Sequence, residues 1–424
     1  MSNRVAELTA SIAKNTAEVN EYLASHGIAP LSFDVDVPRE LQGDANFAVP
    51  RDAAINACAE LQDLLGGSTR SVFTKNTTDL VNLQAVCRFN IATSFPTTKL
   101  TATYTELSDL TGLPEPDVRR IVRGALTNHV FQEKEPGQVS HTAASRFLAA
   151  SRLARQWVEM YATEMLPAAA RMVDAMEKWP RSGEPEHVGY SLANATSEHC
   201  FDYMSKVPVR AERFSDAMSL FSSGPGYGPE GLLEYFAANN LTEGTFVDVG
   251  GSHGAFSIPL VRNFPNLCGT IQDRPEVVDV AAKSAPEDVS RRLEFMSHDF
   301  FEKQPVEADV YLLRWILHDW SDQYCIIILR ALIPALHSGS RILIHEWIVP
   351  EPHTSAIHEQ ISLRLFDLYM RSLCNGKERE AQDWKNLVAQ ADSRFHIRAI
   401  SQLPSCKLGI IDIEWRPSDV GVGT

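Results

Sequence analysis

From residue 245 onward the sequence alternates short apolar runs with helix-like ones, and this alternation restricts the fold more than any other feature. TFVDVGG (245–251), CGTIQDR (268–274), RLEFMSHDF (292–300), ADVYLLRWIL (308–317) and SRILIHEWIV (340–349) read as strands. GAFSIPLVRNF (254–264) and SDQYCIIILRALIPAL (321–336) read as helices between them. Strands separated by helices pair in parallel, with the helices covering both faces. HIRAISQL (396–403) and GIIDIEWR (409–416) depart from that rule. Only a short turn around Pro404-Ser405-Cys406 parts them, too short for a parallel crossover, so the last strand should run antiparallel. The predicted class is α/β, with a Rossmann-like, mostly parallel sheet.

The first 160 or so residues read differently. Thr105–Thr111 forms a short helix, Gly112 turns it, and Pro116 opens a second helix over 117–126. The stretch around Pro136-Gly137 suggests a β wing, which completes a winged helix-turn-helix pattern. Arg119, Arg120 and Arg123 invite a DNA-binding reading. A net charge of -15 argues against it, because affinity for nucleic acid rests on Lys and Arg neutralising phosphates. The pattern therefore reads as a packing or dimerisation module. At 424 residues the chain exceeds one ordinary core. The expected division is a helical domain at 1–165 and an α/β domain at 166–424. Residues 176–190, rich in Pro, Gly and charge, look like an exposed connection.

No run approaches the roughly 18 apolar residues of a membrane helix. The opening stretch lacks the apolar core of a signal peptide, so a cytoplasmic protein is expected. Seven cysteines are odd in number and scattered, without a CxxC pair. They suggest neither a zinc site nor a disulfide framework. Cys268 and Cys325 lie in apolar runs and are expected to be buried free thiols. No metal-ligand spacing of His, Asp or Glu is visible.

VDVGGSHG (247–254) follows the first strand and opens a helix. Glycines let the backbone turn tightly beside a ligand, and the helix N-terminus favours negative charge. Asp273 ends the next strand, where a carboxylate can take the two ribose hydroxyls of a nucleotide. Asp299, with Phe300 beside it, could supply the hydrogen bond and aromatic wall of an adenine pocket. Asp248, inside the first strand, is expected to orient the loop backbone. RWILHDWSD (314–322) puts His318 after the fourth strand, and Glu346 lies near the end of the fifth. Ligands of open parallel sheets bind at the carboxyl ends of strands. An imidazole titrates near neutrality and suits a general base, and a nearby carboxylate would fix its tautomer. Asp319 is either part of that group or the cap of the helix starting near Ser321. Trp315 and Trp320 read as packing residues.

In order, DVGGSHG, QDRP, SHDFF, RWILHDWSD, HEWIVP and NGKERE resemble the motif set of class I S-adenosylmethionine-dependent O-methyltransferases. The resemblance is to the caffeate/flavonoid-type family and its fungal secondary-metabolite branch, similar to sterigmatocystin O-methyltransferases. It spans nearly the whole chain. It implies a seven-stranded methyltransferase sheet, an N-terminal dimerisation domain and a homodimer. It implies S-adenosyl-L-methionine as cofactor, with Gly250 and Gly251 beside its methionine part, Asp273 on ribose, and Asp299 and Phe300 at adenine. Arg314 takes the place of a basic or polar cofactor contact. Glu378 joins Glu346 as a second acid flanking His318, the base acting on a phenolic hydroxyl of an aromatic, polyketide-like acceptor. Ser252 departs from a glycine common in that loop. Residues 190–237 and 357–375 should wall the acceptor site, with Met218, Asp367 and Met370 as candidate contacts. The rival readings are an N-methyltransferase of the same fold, an NAD-dependent oxidoreductase using the glycine loop and Asp273, and a non-catalytic winged-helix regulator.

Overall fold

The computed structural model describes residues 3–37, 43–73, 78–95, 100–351, 354–403 and 406–417. Its contacts divide into two compact units. The first comprises Met1–Leu166 with Val207–Leu220 and Ala356–Ser362, so the chain crosses between units more often than a single boundary at 165 would require. The second holds the rest.

The second unit is built on a seven-stranded sheet. In chain order its strands are β1 (Glu243–Val249), β2 (Asn266–Asp273), β3 (Leu293–Ser297), β4 (Val310–Arg314), β5 (Arg341–Glu346), β6 (Phe395–Gln402) and β7 (Gly409–Trp415). Across the sheet the order is β6-β7-β5-β4-β1-β2-β3. β1 to β5 pair in parallel, whereas β7 runs antiparallel to both β5 and β6. The order reverses at β1, so the carboxyl ends of β1 and β4 flank a crevice, the ligand position of such sheets. Pro404 and Ser405 of the expected turn lie outside the described residues.

β4 and β5 are apolar on both faces because helices cover both sides of the sheet. Tyr311, Leu312, Leu313, Ile342, Leu343 and Ile344 are all fully buried. Cys325 is buried as expected, but Cys268 is exposed. Cys268 sits near the amino end of β2, where burial still alternates from residue to residue, so an apolar neighbourhood in sequence does not make it internal.

In the first unit, helices Tyr104–Thr111 and Glu115–Leu126 are followed by strands Phe131–Glu135 and Gln138–His141. Thr103 and Glu106 close a capping box on the first helix, and Gly112 ends it at φ 73°. The cations of the second helix are engaged locally. Arg119 pairs with Glu115 at 2.5 Å, Arg123 with Glu133 at 3.2 Å, and Arg120 lies 3.7 Å from Asp117. No helix among the described residues is long and apolar enough to cross a membrane.

Candidate active site

Five parallel strands end at one edge, and four of them end on a polar residue: Asp273 ends β2, Ser297 ends β3, Arg314 ends β4 and Glu346 ends β5, while Val249 of β1 leads into the glycine loop. Arg314 is directly opposite His345 across β4 and β5. The chain then reverses at Trp315, whose φ of 52° is the left-handed backbone that bulky side chains avoid. Such strain persists only where the surroundings enforce it. Here the Trp315 indole packs against both Phe221 and Tyr227, with ring centroids 5.1 and 5.5 Å away.

The reversal aims three successive amides at one carboxylate. Glu346 Oε1 accepts the N–H groups of Ile316, Leu317 and His318 at 3.0, 2.6 and 3.2 Å. They open the 3₁₀ turn Leu317–Asp319 that carries His318. Glu346 therefore holds the backbone of the turn and makes no hydrogen bond to the imidazole, contrary to the orienting role expected of it. Adjacent strands placed the two residues together, but the side-chain route between them was not readable. Burial lifts the Glu346 carboxyl to about 7, against the pull of His318.

Glu378 is the carboxylate that orients the ring. The His318 Nδ1–H donates to Glu378 Oε1 at 2.8 Å, and Nε2 lies 3.5 Å from Asp319 Oδ1. Burial works against the charged imidazole, yet Asp319, Glu378 and Glu346 outweigh it and lift its pKa to about 10. Asp319 is itself raised to about 6, by burial first. It does not cap the next helix: that position belongs to Ser321, whose hydroxyl donates to Gly183 O at 2.7 Å.

The loop bearing Glu378 lies directly on the His318 turn. Lys377 N–H donates to His318 O at 2.9 Å. Asp367 Oδ1 accepts the Glu378 N–H at 2.8 Å, so this acceptor-pocket candidate serves the loop. A Cβ at Gly376 would meet His318 O at 2.1 Å. Gly376→Ala is thus expected to lower the thermal midpoint, since forcing atoms into a packed site costs about 1–3 kcal/mol. Thermal unfolding beside wild type reads this, and an unchanged midpoint would mean that the loop yields freely.

The 176–190 stretch, expected as an exposed connection, is partly buried against the same region. Asn375 Nδ2 donates to Ser182 O and Glu184 O at 3.0 and 2.8 Å, and Tyr324 Oη donates to Glu184 at 2.5 Å. Backbone carbonyls and one acid give this polar segment a reason to dock that its composition hides.

On the glycine-loop side, Gly250 and Gly251 donate to Gln272 O at 2.8 and 3.0 Å. Gly250 has φ 72°, and a side chain there would also run into Ile316. Ser252 keeps a left-handed φ of 50° in place of the usual glycine, and its N–H donates to Asp273 Oδ2 at 2.9 Å. Asp273 Oδ1 accepts from Arg274 N–H at 2.8 Å. The Asp248 carboxyl lies against Gly251, where a Cβ would meet it at 2.5 Å, but its hydrogen bond goes to a side chain beyond the loop. It accepts the Ser257 hydroxyl at 2.5 Å, and burial raises its pKa to about 6. Asp299 Oδ1 accepts from Phe301 N–H at 3.0 Å, and Phe300 packs 4.9 Å from Phe301. The Arg314 guanidinium stacks 3.6 Å over Phe256 and 4.2 Å over Trp315, and burial lowers its pKa to about 10. Sequence reading missed the buried amide pair Gln272–Gln304, two reciprocal bonds of 2.8 Å behind the loop.

The family model and the curated relatives agree on one family. A family model described as an O-methyltransferase domain matches residues 177–394. The O-methyltransferase kk1A of Curvularia clavata is 36% identical over 98% of this chain and 98% of its own. The chain belongs to the O-methyltransferase family. Another relative, the chlorophenol O-methyltransferase of Trichoderma longibrachiatum, is 33% identical over 97% of this chain and 90% of its own. The crystal structure of OxaC in complex with SAH and oxaline superposes with a TM-score of 0.74 at 20% identity, covering 96% of this chain and all of that one.

The cofactor of this O-methyltransferase is S-adenosylmethionine, and the residues present suit it. Asp273 and Asp299 are acceptors near the ends of β2 and β3, suited to hydroxyls and an amine. Arg314 Nε, Trp315 Nε1 and His345 Nδ1 are buried polar atoms without a protein partner, clustered where β4 and β5 end. Phe221, Tyr227, Trp315, Trp347 and Phe366 form an aromatic cluster in the same unit. Of the other acceptor candidates, Met370 is buried, and Met218 belongs to the first unit.

Proposed function

We propose that this O-methyltransferase methylates a phenolic hydroxyl of a small aromatic, polyketide-derived metabolite, with His318 as general base. The observation that carries this reading is the 2.8 Å bond from His318 Nδ1 to Glu378. It leaves Nε2 as the ring nitrogen available to an acceptor. A phenol with a pKa near 10 is mostly neutral at pH 7, so a base must take its proton as the oxygen attacks. In the neutral form of the ring Nε2 takes that proton, and Glu378 with Asp319 stabilises the imidazolium that forms. Glu346 keeps the turn, and with it the ring, in place.

When bound, the cofactor supplies an electrophilic methyl on a cationic sulfonium, and a like charge nearby disfavours protonated imidazole. In the same proposal Gly250 and Gly251 approach the methionine part, Asp273 takes the ribose, Asp299 and Phe300 meet adenine, and Arg314 contacts the cofactor from β4. The aromatic cluster and the relative named for chlorophenol support a phenolic acceptor over an amine. A homodimer is part of the proposal and rests on the family resemblance. A cytoplasmic setting rests on the cysteines, all of them free thiols. The locally engaged arginines of Glu115–Leu126 support packing over nucleic-acid binding.

The test is product mass after incubation with S-adenosylmethionine and a panel of phenols and amines, with calorimetry against NAD as a control. Methylation of amines alone, or binding of NAD alone, would overturn the proposal.

The pH dependence has a definite sign. Only neutral His318 accepts a proton, and its pKa is raised from 6.5 to about 10 in the free protein. Activity as kcat/KM should therefore climb through the alkaline range. The kcat limb should lie at lower pH, because the bound sulfonium opposes the imidazolium. Glu378→Gln removes a carboxylate that raises the imidazole, so both limbs should move to lower pH while the maximal rate falls. Limbs that stay in place would show that another group titrates. The same shift contributes stability below about pH 6.5 that is lost as pH rises towards about 10.

A further inference from the structure

The NGKERE loop carries a second charged residue whose place in the fold is unusual. Arg379 is fully buried, where an unpaired guanidinium is strongly disfavoured. Its donors are all engaged. Nη1 donates to Leu317 O at 3.0 Å and Lys377 O at 3.2 Å. Nη2 donates to Trp320 O at 3.0 Å and Asp322 Oδ1 at 2.8 Å, with Cys325 Sγ at 3.3 Å. Nε donates to Asp322 Oδ1 at 3.0 Å, and Trp384 lies 5.1 Å from the guanidinium carbon.

These acceptors are not scattered. Leu317 and Trp320 bracket His318, while the Lys377 carbonyl immediately precedes Glu378. One planar group thus ties the turn carrying the imidazole to the loop carrying its carboxylate. We infer that Arg379 is a positioning residue that sets the spacing of the His318–Glu378 pair. It does so through backbone carbonyls and need not touch acceptor or cofactor. The rigid fork of arginine suits this task, and the point charge of lysine does not. The catalytic consequence rests on the reading of His318 as base, but the spacing itself does not.

The test titrates the His318 ring by NMR on histidine-labelled protein, in wild type, Arg379→Lys, Glu378→Gln and the double variant. Arg379→Lys should move the His318 midpoint towards the ordinary histidine value, with S-adenosylmethionine affinity by calorimetry kept within about twofold. In the Glu378→Gln background the same substitution should leave the midpoint nearly unmoved, because the pair it spaces is gone. With a chlorophenol as acceptor, kcat should fall at least about tenfold in Arg379→Lys, the factor of a lost charged hydrogen bond, with KM little changed. On the Glu378→Gln background that loss should shrink below about threefold. An unmoved midpoint in the single variant, or equal shifts in both backgrounds, would overturn the inference and leave Arg379 as a structural residue. If Arg379→Lys does not fold, Asp322→Asn loosens the same guanidinium from a half-exposed side chain and takes the same readouts, with a smaller shift expected. Full activity in His318→Ala would instead defeat the base assignment, while the midpoint would still judge Arg379.

Discussion

His318→Ala is expected to lower kcat by about two to four orders of magnitude, the range of a general base, while cofactor affinity stays within about twofold. The two halves of this result come from different parts of the site. The imidazole is held from Nδ1 by Glu378, and its backbone by Glu346. Its loss would therefore remove the proposed proton acceptor without touching the glycine loop or Asp273. The turn should survive the change, because its three amides remain bound to Glu346 and its flanking carbonyls to Arg379. Stopped assays for kcat and calorimetry for cofactor binding separate the two halves. Loss of both together would mean that the substitution collapsed the turn.

Asp273→Ala is expected to do the opposite. Hydrogen bonds to a charged group are worth about 1.5–3 kcal/mol, so S-adenosylmethionine affinity should fall about tenfold to a hundredfold. The carboxylate also anchors the loop, through Ser252 N–H at 2.9 Å. Part of the loss will come from that anchor. Asp273→Asn keeps one carbonyl acceptor and should lose less than alanine. Calorimetry with S-adenosylmethionine and with S-adenosylhomocysteine should show similar losses for both, because the ribose is common to them. A loss confined to S-adenosylmethionine would point to the sulfonium end and contradict the ribose assignment.

The elements of the second unit were legible because burial on both faces writes continuous apolar runs into β4 and β5, and a short connection dictates an antiparallel β7. The polar strand ends were legible for the same reason: Asp273, Arg314 and Glu346 interrupt apolar runs. What sequence hid was how those groups are held. Nothing in NGKERE announces that Arg379 is buried, since most of its acceptors are backbone carbonyls, which leave no trace in residue types. Gly376 reads as an ordinary turn glycine, although its place is fixed by the His318 carbonyl. The hold of Glu346 on the main chain was hidden, because the left-handed backbone at Trp315 that gathers three amides around it has no signature in a tryptophan. Residue type likewise hid the division of labour between Glu346, which holds the main chain, and Glu378, which holds the ring.

The central claim is that His318 removes a proton from the acceptor, and its most direct test varies the acidity of that proton. Wild type and His318→Ala would be compared at a pH on the alkaline side of the wild-type kcat limb, on two phenols of similar shape, one with a pKa above that pH and one already ionised. The account predicts a large loss in the variant on the weakly acidic phenol and a small one on the ionised phenol, which needs no base. An equal loss on both would contradict it, and would make His318 a residue that places the acceptor.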